Sequence, residues 1–225
     1  MARIRFARRA VLTVALAAAL AAPAVASAAP VSLWHMDETA GTTVADSLGL
    51  NPGTRHGPIA IGQPGILGTA YGFPGRPAII NVPSSPSLNP GAAAFSVTVS
   101  FNTAVVTSDD SADIIRKGLS TNSKTLWKVE MRPSSTRKTE QVRCYFHGTS
   151  GVGSLYGGKN IADGQWHTVT CAKQADKVIV VLDGKTRTKA AKVGSISNSA
   201  PLTIGAKAAN DDAYQGLVDE ASYSR

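Results

Sequence analysis

Arg143, Tyr145 and His147 occupy alternate positions of one short segment. An arginine, a phenol and an imidazole spaced by two leave an extended strand on the same side. Such a trio can serve lyase chemistry on an acidic sugar, or it can donate and accept hydrogen bonds to a bound glycan. Upstream, Lys128 and Arg132 alternate with Glu130 in the same manner. Together the two polar faces carry Lys128, Arg132, Arg143 and His147, with Tyr145 among them. The sharper expectation is a basic surface that binds an acidic glycan or cell-wall polymer. A solvated strand face is the plainer alternative. Nucleophilic catalysis finds little support, because there is no G-x-S-x-G elbow and none of His35, His56, His147 and His167 has an evident nucleophile.

These side chains need strands to hold them, and the sequence supplies strands. Phe95 to Phe101 alternates strictly, with Phe95, Val97, Val99 and Phe101 on one side and Ser96, Thr98 and Ser100 on the other. That pattern describes a strand with one face in a core. Leu126 to Arg132 alternates likewise, as does Gln141 to His147. Trp166 to Ala172 and Lys177 to Leu182 read as a hairpin through Ala175-Asp176, and Asp183-Gly184 begins the next turn. Pro201–Gly205 and Gly216–Tyr223 close the chain as short strands. Asn81 to Pro90 and Pro133 to Lys138 read as loops. About a dozen short strands at regular spacing, with no internal repeat, predict one all-β domain, an antiparallel β-sandwich or jelly roll.

Cys144 falls in phase with Val142 and Phe146, and Cys171 with Val169, so both point to the apolar side of their strands. If the two strands are neighbours, the sulfurs can meet inside the sandwich. Such a bond would stabilise the fold by about 3 kcal/mol through the loop it closes; two buried free thiols are the alternative. The N-terminus favours the bond. Residues 1–9 hold four arginines, Ala10 to Val25 is apolar, and Ala26-Ser27-Ala28 has the small-x-small form that signal peptidase accepts. Residues 1–28 therefore read as an export leader and 29–225 as the mature domain, secreted into an oxidising compartment. Removing the leader takes the net charge from +8 to +4. A nucleic-acid role inferred from the whole-chain charge would be misplaced. No second apolar stretch is long enough to hold the mature chain in a membrane.

Three segments, in order, resemble the laminin-G-like family of concanavalin A-like jelly rolls found in secreted bacterial proteins. They are Leu33-Trp-His-Met-Asp-Glu38 with Gly41 to Ser47; Asp163-Gly-Gln-Trp-His-Thr-Val169 continued by Val178 to Gly184; and Pro201-Leu-Thr-Ile-Gly205 with Gly216-Leu-Val-Asp-Glu220. The resemblance implies two stacked antiparallel sheets and, as a cofactor, calcium. Asp46, Asn51 and Asp219 would be its ligands if the chain ends meet, since calcium takes oxygen donors from acidic, Asn-rich loops. An Asx-type turn is the alternative for Asp46 and Asn51. The chain departs from the family at Phe73 to Ile80, which lacks two customary aspartates and a tyrosine.

Glucanases of this architecture present an E-x-D-x-x-E strand, and retaining hydrolysis needs two carboxyls about 5 Å apart. No such motif occurs, and Glu130 and Glu140 stand alone among basic residues. The expectation is thus a non-catalytic module for an extracellular carbohydrate or cell-surface polymer. A polysaccharide-degrading enzyme and a protein–protein adhesion domain are the alternatives. Trp34, Trp127 and Trp166 are assigned to the core, leaving Tyr145, Tyr156 and Tyr214 as sugar-stacking platforms.

Overall fold

The structure, a computed structural model, describes residues 29–119 and 124–225; the expected leader, residues 1–28, lies outside the described residues. Among the described residues sixteen strands, β1 to β16 in chain order, form two eight-stranded antiparallel sheets. The first runs β14 (Lys185–Ala190), β13 (Lys177–Leu182), β12 (Trp166–Lys173), β7 (Phe95–Asn102), β16 (Gln215–Ser224), β5 (Thr69–Pro74) and β4 (Ala60–Pro64), with β1 (Pro30–Trp34) also on β16. The second runs β11 (Gly151–Gly157), β10 (Glu140–Gly148), β9 (Leu126–Pro133), β8 (Ala112–Lys117), β15 (Leu202–Ile204), β6 (Ile79–Val82), β3 (Gly53–His56) and β2 (Thr43–Val44). This is the β-sandwich jelly roll that the alternation predicts. No described helix is long and apolar enough to cross a membrane.

Alternation decides which side chains meet between the sheets. Val97, Val99 and Phe101 of β7 face Trp127, Val129, Val142 and Phe146 of the other sheet, all at most 1% exposed. Trp127 stacks on Tyr223 at 5.9 Å between ring centroids, and Phe95 packs edge-on against Phe146 at 5.6 Å. Trp34 and Trp127 are buried as expected, whereas Trp166 is only half-buried. Asn81, placed in a loop by the prolines that follow it, belongs to β6 instead; the loop proper begins after Val82 and holds one 3-10 turn, Pro86–Leu88.

Cys144 and Cys171 form a disulfide with Cα atoms 5.4 Å apart. Their strands are not neighbours in one sheet. β10 and β12 lie in opposite sheets, and the bond crosses the core. Stacked sheets ordinarily stand about 10 Å apart, so the flank around the bond is pinched. Glycines allow the pinch. A Cβ at Gly153 would lie 2.4 Å from Val178 Cγ1, and one at Gly157 would lie 3.1 Å from Val180 Cγ2. β11 can therefore press its backbone against β13, which leaves β14 overhanging the sandwich with all six residues exposed.

Candidate functional site

The site lies on the outer face of the second sheet. Register builds it from two cross-strand rows. Asp113 of β8 lies opposite Glu130 of β9, which lies opposite Arg143 of β10, which lies opposite Tyr156 of β11. In the second row Arg116 lies opposite Lys128, then Tyr145, then Ser154. His147 follows opposite Leu126. Arg116, Leu126, Lys128, Arg143, Tyr145 and His147, joined by Lys207 and Asp212 from the loop between β15 and β16, line a groove of about 290 Å³. Four of the five sequence-nominated residues thus converge. Arg132 does not line this groove; it lies two residues beyond Glu130 along β9, opposite Gln141.

The floor of the groove is an ion-pair network. Glu130, fully buried, accepts from Arg143 Nε and lies 2.5 Å from Lys128 Nζ. Asp113, equally buried, holds Arg116 Nη1 at 2.5 Å and Lys128 Nζ at 3.2 Å. Burial pushes the Asp113 carboxyl above the ordinary aspartate range, with Lys128 and Arg116 opposing. Burial works against the Arg143 charge, but Glu130 and Tyr156 outweigh it and its pKa is raised. At the rim Lys207 pairs with Asp211 and lies 3.6 Å from Asp212. Four cations (Arg116, Lys128, Arg143, Lys207) therefore meet four carboxylates (Asp113, Glu130, Asp211, Asp212). Within the groove and its rim, Arg132 apart, the nominated cations are thus matched by acids from β8 and the 207–212 loop, which spacing along β9 and β10 cannot reveal.

Two rings flank the central guanidinium. Arg143 Cζ sits 4.9 Å from the Tyr145 ring centroid and 5.8 Å from that of Tyr156, within cation–π range. The third nominated platform fails. Tyr214 is 1% exposed, its hydroxyl donating to the backbone carbonyls of Asn102 and Leu217, so it is a core tyrosine. Asp113, Arg116, Lys207 and Asp212 were missed by sequence reasoning. In the sequence Asp113 and Arg116 are two charged residues in an apolar run, three apart and so on opposite faces of a regular strand; the bulge after Asp113 brings them to one face.

The side chains of Asp46, Asn51 and Asp219 are each engaged by protein hydrogen-bond partners. Asp46 Oδ1 accepts from the amides of Leu33 and Leu48, and Oδ2 from the amide of Asn51. Asn51 is held through its side chain by Ser32 and Ser87. Asp219 accepts from the amides of Ile66, Leu67 and Glu220. N–H donors aimed at a carboxylate do the work of a cation and build turns. Among the described residues no group of three or more His, Cys, Asp or Glu is arranged for a metal ion.

His167 bridges Asp163 and Asp183 at the end of β12, the strand-edge bonding its sequence position suggests. A larger cavity, about 420 Å³, opens at one end of the sandwich beside Arg76, Val105, Asp109 and Gln215. Its charged pair, Arg76–Asp109, is self-satisfied, and the buried Tyr214 presents no stacking face.

Several solved structures share this fold. Domain 4 of AbnA, a GH43 extracellular arabinanase from Geobacillus stearothermophilus, determined with arabinotriose, superposes with a TM-score of 0.66 at 17% identity, covering 88% of this chain and 93% of that one. The binding domain of Paraclostridial Mosquitocidal Protein 1 gives 0.65 at 12% identity, covering 87% of this chain and 48% of that one. The binding domain of Botulinum Neurotoxin DC, in complex with SialylT, gives 0.63 at 12% identity, covering 87% and 47%. The chain thus spans about half the length of those two toxin domains. No curated protein matches it in sequence. Residues 75–224, two thirds of the chain, match the family model Laminin_G_3. The chain belongs to this laminin-G-type family of the concanavalin A-like lectin/glucanases superfamily.

Proposed function

We propose that the protein is an extracellular, non-catalytic binding module whose β8–β9–β10 face takes a carbohydrate chain, with neutral sugars preferred over acidic ones. The observation that carries this is the immobilised Arg143, anchored from below by buried Glu130 and flanked by Tyr145 and Tyr156. A guanidinium held by a carboxylate keeps its remaining N–H groups for vicinal hydroxyls, while tyrosine rings offer apolar faces to sugar C–H groups. Charge balance across the groove removes the long-range attraction an acidic polymer would need. The leader-like N-terminus and the disulfide support the extracellular setting. A structural relative determined with arabinotriose supports the ligand class.

Hydrolysis is the weaker reading. Asp113 and Glu130 do face each other across β8 and β9, as a catalytic carboxyl pair would. Both are 0% exposed and committed to cations, so neither has a free face for a glycosidic oxygen. The test is a panel of neutral and uronic oligosaccharides measured by calorimetry with the parent, Arg143→Ala and Tyr145→Ala. At least a tenfold loss of neutral-sugar binding in both variants is expected. Unchanged affinity in both, or turnover of any panel member, refutes the proposal.

A further inference from the structure

The overhang of β14 creates a second surface, unrelated to the groove in its chemistry. Lys185, Arg187 and Lys189 alternate along the strand and lie opposite Leu182, Val180 and Val178 of β13. They therefore project from the core side of the first sheet, where a strand within the sandwich would carry apolar residues. No core lies beneath them, because β11 has already closed the flank against β13. Instead the cations reach over the open edge of the second sheet. Arg187 Nη1 donates to the Tyr156 carbonyl at 2.7 Å, and Lys189 Nζ to the Ser154 carbonyl at 3.4 Å.

Those bonds fix the direction of the side chains without neutralising them. Among the described residues none of the three makes an ion pair, and β14 contains no acidic residue. Of the nearby acids, Asp163 and Asp183 are taken up by His167, and Asp176 stands beyond the Ala190 end of the strand, where its carbonyl accepts from the Ala191 amide. Exposed Lys159 and Lys192 add to the same sign along this flank. Alternate residues of a strand stand about 6.7 Å apart, so three unpaired cations form a row roughly 13 Å long. Such a row complements a linear polymer with negative charge at short regular intervals and has nothing to offer a neutral one.

We propose that the β14 edge is a second binding surface, for a linear polyanion bearing carboxylate or phosphate groups. Each cation meets successive charges of a chain laid along the strand. Arg187, with one N–H spent on β11, keeps the rest of its fork for a carboxylate or phosphate. Edge cations also keep strands from pairing with other molecules, so the test separates ligand binding from that role.

Binding of fluorescent polygalacturonate and of inorganic polyphosphate is measured by anisotropy from 50 to 200 mM NaCl, with dextran as the neutral control. Three released counterions weaken binding about 20-fold over that range. The variant Lys185→Gln/Arg187→Gln/Lys189→Gln is expected to lose at least tenfold at 50 mM and to flatten the salt dependence. A charge-matched control, Lys124→Gln/Lys138→Gln/Arg225→Gln, stays within threefold of the parent. Preference for one polymer identifies carboxylate or phosphate as the natural group. Equal losses in variant and control, salt-independent binding, or no binding at 50 mM overturns the proposal. Because removing edge cations can provoke aggregation, acylation footprinting of the unmodified protein supplies an independent measurement. Polymer must shield Lys185 and Lys189 and leave Lys124 and Lys138 reactive; uniform reactivity refutes the surface.

Discussion

Replacing Glu130 by Gln keeps the shape of the side chain and deletes the charge on which the groove is built. Two cations, Lys128 and Arg143, then face each other across an amide that can accept from only one of them. Breaking a buried ion pair by removing one partner costs about 3–5 kcal/mol. The side chains of Lys128 and Arg143 are 11% and 17% exposed, so water relieves part of their charge and the lower bound, about 3 kcal/mol, applies. For a domain of this size each kcal/mol moves Tm by about 2–4 °C, giving an expected fall of about 6–12 °C. Calorimetry and urea titration at pH 7 measure it. The companion variant Lys128→Met/Glu130→Met/Arg143→Met removes the charges together and leaves Asp113 with Arg116. It should be far less destabilised than the single variant, because an apolar replacement of the whole set leaves no orphaned charge. A Glu130→Gln protein within about 1 kcal/mol of the parent, or a triple variant as unstable as the single one, would refute the account of the network.

The double variant Cys144→Ala/Cys171→Ala should lose about 3 kcal/mol in urea titration while keeping the strand content read by far-UV circular dichroism. Burial pushes the Glu140 carboxyl up to about 7 from its ordinary 4.5, against the Thr107 amide it accepts from. Between those values the folded state binds the proton more tightly than the unfolded one, so stability falls as pH rises from 4.5 through 7. Glu140→Gln should flatten that part of the Tm-versus-pH curve and be more stable than the parent at pH 8; an unchanged slope refutes the assignment. Since amide donors occupy Asp46 and Asp219, adding EDTA should leave Tm within the error of the scan. Asp46→Ala, by freeing the amides of Leu33, Leu48 and Asn51, should lower stability by about 2 kcal/mol or more.

The central strands were legible because burial on one face imposes period-2 alternation. β7, β9, β10, β12 and β13 fall within a residue or two of their sequence limits. β14 was not, since Lys185-Thr-Arg-Thr-Lys-Ala190 buries nothing and its strand character comes from hydrogen bonding to β13. β11 was hidden for a different reason: its inward positions include Gly153 and Gly157, which write no apolar pattern. At the site, alternation within β9 and within β10 marks Lys128, Arg143, Tyr145 and His147 as outward residues. Their counter-charges arrive from β8 and from the loop carrying Lys207, through register that sequence spacing does not encode. That is why a balanced groove reads as a basic one. The placement of Cys144 was right in phase but not in sheet, because phase specifies inward direction and says nothing of which inward face lies opposite.

The bond between β10 and β12 also determines how the molecule answers to tension. A chain pulled from its two ends lengthens as strands peel away, each freed residue adding about 3.3–3.6 Å of contour. The 27-residue interval between Cys144 and Cys171 cannot be paid out while the bond is intact. Roughly 90 Å of extension is thereby withheld, and the withheld interval contains β11 and the far half of the groove. Under load the chain on either side can be drawn out, while Tyr145, His147 and Tyr156 stay within one covalently closed ring.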